Sequence, residues 1–216
     1  MMFLIETKLD VKRMEKVRAN VGFQYVFTVP CKGRSGGLAL LWKDSIKVRV
    51  QTYSQHHIDV HVHMDTHSWW RLIGFYSHLE QHKRHETWKL LNHLGSRNQI
   101  PWLCLGDFNE ILSQEEKQGI HLQPVRQMLE FRDTITACNL IDIGYRGPPY
   151  TWNNNRDPPA FVQGRLNRAL ATAEWLTLFG FNEATHIPTS KSELSNTGRL
   201  ARIYYPKTKE KVNFQI

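Results

Sequence analysis

The residues best suited to chemistry follow an apolar run, Pro101 to Leu105, which reads as a strand ending in Gly106-Asp107-Phe108-Asn109. Alternation along extended backbone puts Asp107 and Asn109 on one side, so a carboxylate and an amide aim at a common point. A carboxylate there can hold Mg²⁺ or orient a water, and an amide can donate to a phosphate oxygen. The glycine is expected to let the chain turn sharply. The same residue types also cap turns and helices without doing any chemistry. A second group, His57, Asp59, His61, His63 and Asp65, alternates along one strand. Its imidazoles and carboxylates are zinc-type donors, but the solvent face of an alternating strand explains them with no metal at all. Arg146, Arg156, Arg165 and Arg168, with Trp152 among them, are the residue types that line a nucleic-acid path. Scattered surface arginines are the plainer reading, as solvation is for Lys83-Arg84-His85.

These groups need elements to position them. Val11, Met14, Val17 and Val21 recur near helical spacing, with Gly22 as a stop. Strands are expected at Phe23 to Val29, Leu38 to Trp42, Ile46 to Tyr53, His57 to Asp65, Trp70 to Tyr76 and Val162 to Ala169. A helix carries Trp88, Leu91 and Leu94 on one face and stops at Gly95. Another starts at Pro124 and turns Val125, Met128, Ile135 and Cys138 inward. Trp175 and Phe179 mark a short third helix. Hairpins mixed with helices in this order indicate a single-domain α/β or α+β sandwich, without a strict strand–helix–strand repeat. Met1 to Ile5 is apolar but runs straight into Glu6 and Lys8, so it reads as a strand and makes a poor signal peptide.

The bulk numbers agree with one large domain. There are 216 residues with a formal net charge of +8, which favours polyanionic partners, nucleic acid before membrane surfaces. Cys31, Cys104 and Cys138 are odd in number and lack metal-type spacing, so free thiols in a reducing compartment are expected. No run approaches the roughly 18 apolar residues of a membrane helix. The location this implies is nuclear or cytoplasmic.

Several stretches, taken in order, resemble the endonuclease/exonuclease/phosphatase (DNase I-like) family in its plant LINE-type retrotransposon version. They are Phe3-Leu4-Ile5-Glu6-Thr7-Lys8, Gly33-Arg34-Ser35-Gly36-Gly37 with the following Leu38 to Trp42, Gly74-Phe75-Tyr76, Gly106 to Ile111, Cys138-Asn139-Leu140, Tyr150-Thr151-Trp152 and Arg165-Leu166-Asn167-Arg168-Ala169-Leu170. The resemblance implies a four-layer sandwich of two mixed β-sheets flanked by helices, with a cleft where the strand-end loops meet. It further implies a hydrolase of phosphodiesters or phosphomonoesters that uses Mg²⁺ or Mn²⁺, and DNA as partner. Glu6 matches the metal-ligand glutamate, with Asp107 as a second metal carboxylate. Tyr76 matches the phosphate-contacting tyrosine, Asp107 the residue that positions the attacking water, and Asn109 the one that binds the scissile phosphate.

Departures from the family pattern matter as much. Asn167 stands where the family has aspartate, and Ser192-Glu193-Leu194 where it has Ser-Asp-His. Ser77-His78-Leu79 replaces the usual Gly-His-Pro. An amide cannot stabilise an imidazolium as a carboxylate does, and Leu194 has no proton to exchange. Asp to Asn, Gly to Ser and Pro to Leu are each single transitions of the cytosine-deamination kind. The expectation is therefore a degenerate pseudoenzyme copy with weak or no activity, lacking the family's first strand and its last. The domain is expected over 1–190, followed by a divergent, poorly ordered tail over 191–216. A non-catalytic nucleic-acid-binding remnant and a phosphatase of the same superfamily are the alternatives.

Overall fold

The computed structural model describes residues 1–33, 36–64, 67–97, 100–180, 184–186, 199–204 and 213–215, with 67, 199–204 and 213–215 described by backbone alone. The strands form two large sheets and one small one. Strand β1 (Met2–Ile5) lies inside the first large sheet, antiparallel to β3 (Leu38–Trp42), which pairs in turn with β2 (Tyr25–Val29). On its other side β1 pairs antiparallel with β15 (Arg199–Tyr204), and β16 (Asn213–Gln215), β14 (Ala184–Thr185) and β10 (Tyr145–Arg146) complete that sheet.

The second sheet runs β4 (Lys47–Ser54), β5 (His57–Met64), β6 (His67–Tyr76), β7 (Trp102–Asp107), β13 (Asn167–Ala171), β9 (Ile141–Asp142). All its pairings are antiparallel except β6 with β7, which is parallel. A parallel pair needs a crossover, supplied here by α2 (Arg84–Ser96). The small sheet comprises β11 (Trp152–Asn153), β12 (Gln163–Gly164) and β8 (Lys117–Gln118).

Four layers follow from which faces are apolar. Phe3 and Ile5 of β1 join Leu38, Leu40, Val60, Val62, Leu72, Leu103 and Leu105 in a core between the two large sheets. Their neighbours Met2 and Leu4 face the other way, onto Met14 of α1 (Val11–Asn20). Beyond the second sheet, Ile73, Phe75, Cys104 and Leu170 meet Trp88, Leu91 and Leu94 of α2 and Phe131 and Ile135 of α3 (Val125–Ala137). The short α4 (Ala173–Phe179) seals one end of the inter-sheet core with Trp175. The sheets close so tightly that a Cβ on Gly74 would sit 2.4 Å from the Phe3 ring. This is the four-layer sandwich, two mixed sheets with helices outside.

Several local expectations are corrected. The polar face of β5 is covered at one end: His57 and Asp59 are buried, and Asp59 takes a bidentate ion pair from Arg71, whose other nitrogen donates to the Leu94 carbonyl of α2. Asp59 is thus committed to holding a helix on the sheet, and the His57 nitrogens bond to Thr52 and Ser54. Among the described residues no group of three or more His, Cys, Asp or Glu is placed to hold a metal ion, and Asp65 lies outside them. Val125 faces solvent at 64% exposure because α3 begins one residue after Pro124 and turns Met128 and Phe131 inward instead. Val11 of α1 is likewise exposed, leaving Met14 as that helix's buried residue. The stretch expected as one strand over 162–169 is two, β12 and β13, broken at Arg165-Leu166. Within 191–216, the stretch expected to be a divergent tail, the described residues form β15, which pairs with β1, and β16, which pairs with β15 and β14. No described helix is long and apolar enough to cross a membrane.

Candidate active site

The site is assembled at one end of the sandwich by strand register. Tyr76, last in β6, lies opposite Asp107, last in β7. Asn167, first in β13, lies opposite Asp107 on the other side. Residues alternating with these three, Leu72, Leu103, Leu105, Ala169 and Ala171, point into the inter-sheet core. By the period of two, Tyr76, Asp107 and Asn167 emerge on that same face at its rim. From the opposite sheet Glu6 follows β1 directly, and the Tyr76 hydroxyl donates to its Oε1 at 2.5 Å. A carboxylate from one sheet and a tyrosine, an aspartate and an amide from the other therefore converge.

Backbone geometry fixes these groups. Glu6 and Lys8 adopt φ of 53° and 51°, left-handed values that non-glycine residues rarely take. The turn is held by the N–H groups of Thr7 and Lys8, which donate to the Gly37 and Gly36 carbonyls. Asn109, also left-handed at φ 52°, is a residue type that tolerates this region. Its N–H donates to Asp107 Oδ1 at 2.9 Å and its Nδ2 to the Ser77 carbonyl at 3.0 Å. The Ser77 N–H in turn donates to the Asp107 carbonyl. Gly106 is not a turn residue, as its position in the sequence suggested. It lies inside β7 at φ 150°, where a Cβ would sit 1.8 Å from the Phe75 carbonyl oxygen. The glycine lets β6 and β7 approach closely enough to set Tyr76 beside Asp107.

Asp107 is fully buried and Asn109 and Asn167 nearly so, whereas Glu6 is half-buried at the mouth. Thr151, in the Tyr150-Thr151-Trp152 stretch, accepts at Oγ1 from the N–H groups of both Leu166 and Asn167 and so fixes the start of β13. Among the described residues Asn167 Oδ1 is buried without a hydrogen-bond partner. A carboxylate or amide oxygen at that point is built to receive a donor.

Arg165 and Arg168 do not line a surface, and their expected role in nucleic-acid contact is corrected here. Arg168 is fully buried and Arg165 nearly so. Both pair with Glu116 and Asp142, at 2.7 to 3.0 Å. Burial pushes both carboxyls up, but the two guanidiniums outweigh it and hold them below the usual carboxylate range. The arginines flank Asn167 and tie β13 to the loop after β7. Arg146 and Trp152 remain accessible, exposed and half-buried respectively. A second clamp involves Arg84, a residue read from the sequence as solvated. Arg84 donates to Glu110 at 2.8 Å and to the carbonyls of His78 and Leu79, joining the loop after Tyr76 to the loop after Asn109. Glu193 and Leu194 lie outside the described residues.

The chain belongs to the endonuclease/exonuclease/phosphatase family, whose model matches residues 1–183. Among curated proteins nothing matches. Solved structures of similar fold include the endonuclease domain of TRAS1, a telomere-specific non-LTR retrotransposon (14% identity, 71% of this chain and 69% of that one, TM-score 0.54). An AP endonuclease from Archaeoglobus fulgidus is similar over 79% of this chain and 75% of its own, at 14% identity and TM-score 0.59. A variant of beta toxin from Staphylococcus aureus with bound magnesium ions is 17% identical over 80% and 71%, at TM-score 0.52. At such identities these likenesses establish the fold.

Proposed function

We propose that this chain is a Mg²⁺-dependent phosphodiester hydrolase domain, a DNA endonuclease akin to those of plant LINE-type retrotransposons, in which the chemistry is weak or lost. The observation that carries this reading is the convergence of Glu6, Tyr76, Asp107 and Asn109 at one rim, with Asn167 beside Asp107. The donor set fits a divalent metal in a limited way. Glu6 offers hard oxygen at an accessible strand end, and Mg²⁺ accepts one or two carboxylates with waters completing its shell. When bound, that ion would neutralise charge on the phosphate and the leaving oxygen.

The remaining work falls to side chains. Asp107, held from below by Asn109, orients the attacking water. The second N–H of the Asn109 amide and the Tyr76 hydroxyl hold phosphate oxygens. What is missing is the acid–base unit. Asn167 carries no charge to support an imidazolium, and Leu194 supplies no imidazole. A non-catalytic DNA-binding remnant is the second reading, favoured by the net charge of +8 beside this altered pair.

Nicking of supercoiled plasmid, with and without EDTA, tests the proposal. Wild type is expected at or near background, with Asp107→Ala no lower. Mg²⁺-dependent cleavage abolished by Asp107→Ala would show that the chemistry is intact and that another residue has replaced the missing pair. Salt-sensitive DNA binding with no Mg²⁺ heat on titration, unchanged by Glu6→Ala, would favour the binding remnant.

A further inference from the structure

The loop between β8 and α3 carries apolar side chains into solvent: Ile120 is 63% exposed and Leu122 78%. Loop tips are ordinarily polar, and two large apolar side chains exposed two residues apart make this tip a candidate interaction site. The base of the loop is rigid. Gln114 and Gln123 close it reciprocally, Nε2 to the Gln123 carbonyl at 2.6 Å and the Gln123 N–H to Oε1 at 3.2 Å. The Gln123 side chain donates to both oxygens of buried Glu110, the residue after Asn109. At the other end Glu116 grips Arg165 and Arg168, which flank Asn167. Both stems of the loop are thus bonded to neighbours of the site residues. At its outgoing end Gly119 packs on Val162, where a Cβ would come within 2.9 Å.

The loop itself, Gly119 to Pro124, holds His121 and no acidic residue; Lys117 and Arg126 border it, donating to Gln123 and pairing with Glu130 respectively. An apolar tip that carries no carboxylate itself, on a rigid stem anchored beside the candidate phosphodiester site, suits a polyanion whose interior is apolar. We infer that Ile120 and Leu122 form a wedge that enters between base steps of duplex DNA held at the site, an inference that rests on the DNA reading above. Apolar wedges act by partly unstacking a step and bending the duplex, which brings the backbone onto more of the protein. Removing them costs stacking-type contacts and leaves phosphate contacts intact.

The test uses the full chain and a short fluorescein-labelled duplex, with 2-aminopurine at successive positions in a parallel set. Ile120→Ser/Leu122→Ser is compared with wild type, since serines at exposed positions leave the fold unperturbed; an unchanged thermal transition verifies this. The double variant is expected to bind about tenfold more weakly, with the slope of log affinity against log salt unchanged. Wild type should brighten 2-aminopurine at one step, and the variant should not. Equal affinity and equal brightening would overturn the wedge while leaving DNA binding intact. No binding by wild type at low salt would overturn the DNA reading itself. A wild-type dimer in sedimentation that the variant dissociates, with DNA affinity unaltered, would assign the apolar tip to a second copy of this chain and also overturn the wedge.

Discussion

Glu6 is held in a left-handed conformation that costs a non-glycine residue about 1 kcal/mol, and its carboxylate receives the Tyr76 hydroxyl. Hydrogen bonds to charged groups contribute roughly 1.5–3 kcal/mol, so the bond outweighs the backbone cost. A double-mutant cycle of Glu6→Ala and Tyr76→Phe should therefore show coupling of about 1.5 kcal/mol in urea unfolding. Coupling indistinguishable from zero would mean that the two sheets are not joined at this point in solution. The altered pair gives a second residue-scale test. Asn167→Asp alone should restore almost no nicking, because on the proposed reading Leu194 stands where the imidazole it would orient belongs. Leu194→His alone should restore a little. Both together with Glu193→Asp should exceed the product of the single effects, since groups acting as a unit are not additive. Simple multiplicativity would argue that position 167 and position 194 do not meet.

At the scale of elements, buried ions bind the pieces together, and their protonation sets the response to acid. His57 titrates at about 4 in the fold, chiefly through burial, against 6.5 when exposed. Between those values the unfolded chain holds the extra proton, so stability is complete above about 6.5 and falls as the pH drops toward 4, by roughly 3 kcal/mol. Glu116 and Asp142 contribute stability above the ordinary carboxyl range and lose it at lower pH, as protonation breaks their pairs with Arg165 and Arg168. Urea midpoints should accordingly decline in two stages, and His57→Gln should reduce the upper one, to which buried His186 also contributes, while leaving the lower one unchanged. A single decline below pH ~4 would rule out the imidazole contribution. Arg168→Ala should cost about 3–5 kcal/mol, because it strands carboxylates in a buried setting. A cost under ~1 kcal/mol would show that the cluster is solvated. The elements themselves were largely legible from sequence, because β1, β3 and β7 are apolar on both faces and α2 carries a clear helical stripe. The ion clusters were not. Arg165 and Arg168 look like surface cations until Glu116 and Asp142, distant in sequence, are folded against them.

For the whole molecule, what the sequence could not convey was closure along β1. Hydrophobic pattern fades after Ser190, yet pairing with β15 depends on backbone groups, to which composition is a poor guide. Chains ending at residue 190 should thus leave the β1 edge unpaired, and exposed edges recruit other chains. Such a variant should melt lower than the full chain and aggregate as a function of concentration. Equal thermal transitions and monomeric behaviour would show that β15 adds nothing. The site was half legible for a related reason. Asp107, Asn109 and Tyr76 sit in recognisable local stretches, whereas the clamp from Arg84 to Glu110 depends on a crossover that brings two loops together.

That crossover and the β1–β15 pairing also define a timetable. Tyr76, Asp107 and Asn167 lie on strands whose partners are near neighbours along the second sheet. They can come together once the chain has reached about residue 171, whereas β1, paired early with β3, must wait for its second partner, β15, nearly two hundred residues downstream. Contacts between distant segments form slowly, because closing a long loop costs entropy before the pairing returns it. A chain growing on a ribosome would therefore hold a nearly complete aspartate–tyrosine–asparagine wall while its Glu6 side is still only half enclosed. Residues 199–204 would then complete the pairing of the sheet that carries residues 2–5.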